Sequence, residues 1–105
     1  MYEVSGVTVN LKNGTISGYE REVRGETHVL EAIAATEGTG DDAKTFVSLV
    51  NEVGSIHFTS AKDRETGETT GIGIHAEGGD ARDVLIKGLK FLVKTLEDER
   101  AEVRD

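Results

Sequence analysis

The chain contains no cysteine, no proline and no tryptophan. Without cysteine there can be no disulfide scaffold, no thiolate zinc site and no cysteine nucleophile. Aromatic residues are scarce, three Phe and two Tyr, which leaves little for a base-stacking platform. Nowhere do the roughly 18 consecutive apolar residues of a membrane span run together. The start, Met1-Tyr2-Glu3-Val4, has no basic segment leading into an apolar one, so a soluble cytoplasmic protein is expected, with no membrane contact. Neither a GxSxG elbow nor an HExxH helix occurs, and Ser, His and Asp fall in no recognisable nucleophile setting. No enzyme activity, no cofactor and no catalytic residue is therefore expected.

Positive charge is also short, with 12 basic against 20 acidic residues and a net charge of −8. Residues 1–40 carry −3, residues 41–78 carry −4 and residues 79–105 carry −1. A field of that sign repels phosphate backbones, so direct nucleic-acid binding is disfavoured, while a protein partner remains compatible. The 105 residues suit one domain, residues 1–105, with a modest core that needs no staple.

What is present is alternation. Val7, Val9 and Leu11 alternate with polar residues and Asn13-Gly14 follows, a dipeptide that favours a two-residue type I′ turn. Pairing Lys12 with Thr15 would set Leu11 opposite Ile16. The apolar parity changes between Val4 and Val7, continuing the parity of Tyr2, and again between Ile16 and Tyr19 and Val23. Bulges or sharp bends at Gly6 and Gly18 are the expected cause. Residues 27–37 fit a helix or a strand, with strand slightly favoured because small apolar residues would lie on both faces.

Asp41 or Asp42 would cap a helix carrying Phe46, Leu49, Val50 and Val53, stopped by Gly54. A second hairpin follows, with Ile56 and Phe58 in one arm, Ile72, Ile74 and Ala76 in the other, and a Glu65-Thr66-Gly67 loop whose glycine takes positive φ. Its pairing sets His57 opposite His75. Gly78-Gly79-Asp80 would cap a final helix from Ala81 to about Glu99, with Asp83 in a capping-box position. The expected fold is α+β: an antiparallel sheet of four to five strands, from two hairpins and a third strand, with two helices packed on one face.

The chain also carries three local resemblances to known motifs. Gly38-Thr39-Gly40-Asp41-Asp42-Ala43-Lys44-Thr45 is similar to a P-loop, but Ala43 stands at the critical glycine and two aspartates occupy the phosphate cradle. Asp63-Arg64-Glu65-Thr66-Gly67 with Gly71-Ile72-Gly73-Ile74 resembles the central hairpin of RNA-recognition motifs, without their exposed aromatics. Ile74-His75-Ala76-Glu77-Gly78-Gly79-Asp80-Ala81 is similar to the end of the sugar-transport phosphocarrier protein, without its phosphoacceptor histidine. None of these implies a family.

Two surfaces carry the functional expectation. One hairpin face consists of Ser55, His57, Thr59, Ala61, Gly71, Gly73 and His75, nearly bare of side chains in its middle, which suits close approach by a partner. On the last helix the stripe Ala81, Leu85, Leu89, Leu92, Leu96 is flanked by Val84 and Phe91 on one side and by Ile86 and Val93 on the other. That apolar arc covers roughly 220°, more than one sheet can bury.

The expected function is a small acidic non-enzymatic interaction module, homodimeric or bound to a protein partner, with His57, Thr59, Gly71, Gly73, His75, Ile86, Phe91 and Val93 as its surface. One alternative is an acidic inhibitor or decoy of a basic nucleic-acid-binding protein, whose binding would depend steeply on salt. Another is a small metal-binding protein using His57, His75 and Glu77, although the bland reading of a paired-histidine face assigns no metal.

Overall fold

The alternation that opens the chain continues through four strands. In a computed structural model, which describes residues 4–99, β1 (Val4–Leu11), β2 (Gly14–Arg24), β3 (Val29–Glu37) and β4 (Lys44–Val53) form one antiparallel sheet in the order β1-β2-β3-β4. A separate two-stranded sheet pairs β5 (Ile56–Lys62) with β6 (Thr69–Ala76), and one helix, α1 (Gly79–Asp98), completes the described residues. The α+β, antiparallel expectation holds. Among the described residues there is one α-helix where two were expected, and the second hairpin does not join the main sheet. Tyr2 lies outside the described residues.

Residues 29–37 are strand, as favoured, whereas the expected helix at Phe46–Val53 is β4. Only a 3-10 turn, Gly40–Asp42, precedes it, and neither Asp41 nor Asp42 caps a helix. The difference has a physical cause. Leu49 packs toward α1, while Phe46 packs into a cluster on the opposite face of the sheet. A strand that is apolar on both faces imitates helical spacing.

The parity changes near Gly6 and Gly18 have the same origin. β1 and β2 pair without a register shift through Gly6↔Tyr19 and Val7↔Gly18, so neither glycine marks a bulge. Val4 and Tyr19 pack beneath α1, while Val7, Val9, Leu11 and Ile16 cluster on the other face with Ile33, Ala35 and Phe46. Gly18 is required because a Cβ there would overlap the Ala35 side chain. The first turn keeps two residues but sits one residue earlier than expected, at Lys12-Asn13. Leu11 faces Gly14, and Val9 faces Ile16. A type I′ turn at Asn13 is ruled out, since Glu99 is the one non-glycine residue with positive φ among those described.

The hairpin register matches expectation from Ile56↔Ala76 to Ala61↔Gly71, including His57↔His75. Its loop is longer than the expected Glu65-Thr66-Gly67, spanning 63–68 between the strands. Asp63 organises it by accepting from the backbone N–H groups of Glu65 at 2.8 Å and Thr66 at 3.0 Å. Those bonds hold the Asp63 carboxyl below the ordinary carboxylate range, and Gly67 takes φ +74°.

Helix α1 buries Ala81, Val84, Gly88, Phe91, Leu92 and Thr95. Its contact stripe is thus centred on Gly88, not on Leu85 and Leu89, because small residues let the helix come closest. A Cβ on Gly88 would sit 2.8 Å from Leu30 Cδ2. Beneath it, Val23, Leu30, Ile56, Ala81 and Val84 make the tightest cluster, against which Leu49, Ile74, Ala76 and Leu85 pack. Among the described residues no helix is long and apolar enough to cross a membrane.

Candidate functional site

Asp80 is the residue whose role the sequence concealed. It follows the helix N-cap Gly78, which makes no side-chain cap bond. Its carboxylate turns instead into the β2–β3 connection, where it accepts the backbone N–H groups of Glu26 and Thr27, both at 2.9 Å, and the Thr27 hydroxyl at 3.1 Å. His28 Nδ1 lies 2.8 Å from the same carboxylate and donates to it, since an ionised carboxylate only accepts. The Thr27 and Glu26 amides, with His28, hold the Asp80 carboxyl far below the ordinary range. Gly25 is obligatory here: a Cβ would overlap the carboxylate and approach Val84 Cγ2 to 2.6 Å.

An Asp–His pair of this kind can serve as a base when its second nitrogen reaches a substrate. Here it cannot. His28 is 9% exposed, its Nε2 is buried without a hydrogen-bond partner, and the ring lies against Gly54, where a Cβ would overlap it. The pair locks the β2–β3 turn to the start of α1. Sequence spacing gave no hint of it, because 52 residues separate the partners.

On the hairpin, His57, Thr59, Gly73 and His75 are exposed and share one face, with Gly71 half-buried beside them. Gly73 has a local explanation, since the Thr59 hydroxyl would lie 2.8 Å from a Cβ placed there. His75 Nε2 contacts Glu77 Oε1 at 3.0 Å in the open. That hydrogen bond, the His75 charge and then the His57 charge draw the Glu77 carboxyl below its ordinary range. Among the described residues no group of three or more His, Asp or Glu side chains is placed to hold a metal ion.

The opposite hairpin face begins in the core at Ile56 and ends in solvent, with Phe58 38% and Ile72 73% exposed. Ile74 and Ala76 border an open groove shared with Arg82 and Leu85 of α1. The helix itself exposes Ile86, Leu89 and Val93, the last at 55%. Of the residues expected at the surface, Ile86 and Val93 are there, while Phe91 is 2% exposed and belongs to the core with Ala32, Ala34 and Leu92. Leu89 takes its place. β4 adds Val47, Val50 and Val53, all about half exposed.

The sheet face away from α1 carries Glu31, flanked by the carboxylates of Glu20 and Glu52. Partial burial first, then the charge of Glu20 and the contacts with Glu52, push the Glu31 carboxyl above its usual range. The folded state therefore holds a proton that the unfolded chain has released, so stability falls as pH rises from the ordinary glutamate value of about 4.3 toward the raised one. Glu31→Gln is expected to stabilise the protein by about 1 kcal/mol at neutral pH, the size of a cross-strand like-charge penalty. Urea denaturation at pH 7 and pH 4 checks this, and the gain should shrink at the lower pH.

Comparison with protein-family models, with curated proteins and with solved structures finds no match to the chain.

Proposed function

We propose that the chain is a non-enzymatic protein-interaction module that works as a homodimer, through the uncovered side of α1 and the surfaces beside it. The observation that carries this reading is the row Ile86, Leu89, Val93, three large apolar side chains left in solvent on a helix whose other side is already fully packed. Small monomers seldom leave such patches open, and burying them removes apolar area at roughly 25 cal/mol per Å². Phe58 and Ile72 on the projecting hairpin extend the same character. The orphaned, inaccessible His28 Nε2 supports the non-enzymatic part, because the chain's one Asp–His pair on the described residues that is built into the fold has no route to a substrate.

Sedimentation equilibrium over a wide concentration range tests the reading. A monomer–dimer equilibrium is expected. Ile86→Glu and Val93→Glu should each weaken it by about tenfold or more, since each places a charge in a desolvated contact, while leaving the helical circular dichroism unchanged. A chain that stays monomeric at millimolar concentration would sink the proposal.

A further inference from the structure

Among the described residues, two strands of the main sheet lack a neighbour on their outer side, β1 and β4, and only β4 is shaped to take one. β4 ends the four-stranded sheet, and its pairing is with β3 alone. Long edge strands are normally blunted by charge, proline or a bulge. β4 has ten residues, Lys44-Thr45-Phe46-Val47-Ser48-Leu49-Val50-Asn51-Glu52-Val53, with charge at its ends and nothing in its middle to repel a partner. The other edge differs: β1 exposes Ser5, Thr8 and Asn10, and none of the large exposed apolar side chains belongs to it.

The strand is also nearly palindromic in chemistry. Placed antiparallel to itself about Ser48, it sets Val47 beside Leu49, Phe46 beside Val50, Thr45 beside Asn51 and Lys44 beside Glu52. Every pair matches apolar with apolar, polar with polar, or opposite charges. The pleat agrees as well. Gly25 N donates to His28 O, which makes Val23↔Leu30 a hydrogen-bonded pair two steps along and turns the Leu30 backbone toward β2. Alternation then directs the backbone of Glu31 and Ile33 toward β4, and leaves that of Val47 and Leu49 pointing outward.

We propose that β4 pairs antiparallel with β4 of a second copy about a two-fold axis at Ser48, joining two four-stranded sheets into one of eight strands. This rests on the homodimer reading and specifies its geometry. Val84 meets the β2–β3 turn at Gly25, and Gly88 meets Leu30 and Leu49. At 100° per residue Leu89 and Val93 therefore lie on the β4 side of α1, and Val47, opposite Ala34, shares the sheet face that α1 covers. The pairing brings these rows from both copies to face each other across the axis. Ten strand residues at about 3.3 Å each, in a molecule 18 Å thick, give an edge wall of roughly 600 Å² per copy, close to the roughly 800 Å² per partner of a standard interface. Lys44 of the second copy also reaches Glu52, one of the two carboxylates that press on Glu31.

The test exploits the absence of cysteine. Ser48→Cys should oxidise to a covalent dimer, because Ser48 would face its own copy in a narrow non-hydrogen-bonded pair where Cβ atoms come within disulfide reach; Thr8→Cys on β1 should not. Lys44→Glu and Glu52→Lys should each weaken self-association by roughly tenfold, two like-charge contacts arising per dimer by symmetry, and the double swap should restore it. If the protein is strictly monomeric, this pairing and the homodimer reading both fail. If it is a dimer whose Ser48→Cys form does not cross-link and whose charge swap restores nothing, the pairing fails and the homodimer reading stands. Filaments would point to β1–β4 stacking and overturn the closed dimer.

Discussion

Leu30→Ala is expected to destabilise the protein by about 3–4 kcal/mol, within the range of buried leucine truncations. Leu30 has no exposed surface and shares a cluster with Val23 of the same sheet, Ile56 of the projecting hairpin, and Ala81 and Val84 of α1. One cavity would therefore loosen three elements at once, and the helix cannot settle into it freely because Gly88 already contacts the leucine at its closest point. Chemical denaturation gives the free energy. Hydrogen exchange adds a specific outcome, since protection should drop in β5 and α1 as well as in β3. Ile72→Ala on the hairpin tip, where the side chain is mostly in solvent, should cost almost nothing in the monomer. Equal costs at the two positions would contradict the described core.

Asp80→Asn is expected to remove most of the acid sensitivity that the β2–β3 lock confers. The folded carboxyl titrates far below its unfolded value, held down first by the Thr27 and Glu26 amides and then by His28. A depressed carboxyl contributes stability that is fully present above the unfolded value of about 3.9 and is lost as pH falls through the folded one. The wild type should therefore lose stability steeply below about pH 4. The asparagine variant should have a lower Tm at neutral pH and a flatter profile at acid pH, the two curves converging as pH falls. Thermal unfolding at intervals from pH 7 to pH 2 reads this. A variant curve parallel to the wild type would mean that Asp80 does not set the acid response. Gly25→Ala gives an independent check, because the added methyl must displace the same carboxylate.

Much of the architecture was legible locally. The β5–β6 register, with His57 opposite His75, follows from alternation and one turn, since strand faces repeat every two residues and a glycine with positive φ marks the reversal. The surplus of apolar residues on α1 was legible for the same reason: periodicity counts side chains whatever they touch. Phe91 shows the limit of that counting. Its position on the wheel, beside Val84, matched either core or surface, and only the centring of the contact on Gly88 decided for the core. A helix wheel weighs large side chains, whereas helix and sheet approach closest where side chains are smallest.

Short-range patterns in the sequence by themselves determined an antiparallel α+β chain, the presence of two hairpins, a C-terminal helix and its excess apolar arc, and they only leaned toward strand for residues 27–37, where the structure places β3. They depend on neighbours a few residues apart, where spacing and turn chemistry suffice. Tertiary structure alone decided that Phe46–Val53 is a strand, because its two apolar faces serve clusters on opposite sides of one sheet. It alone decided that Asp80 locks the β2–β3 turn instead of capping its own helix, and that the second hairpin stands apart from the main sheet. Each of these rests on groups brought together from far along the chain, and a carboxylate takes the best donors within its reach, wherever in the sequence they lie.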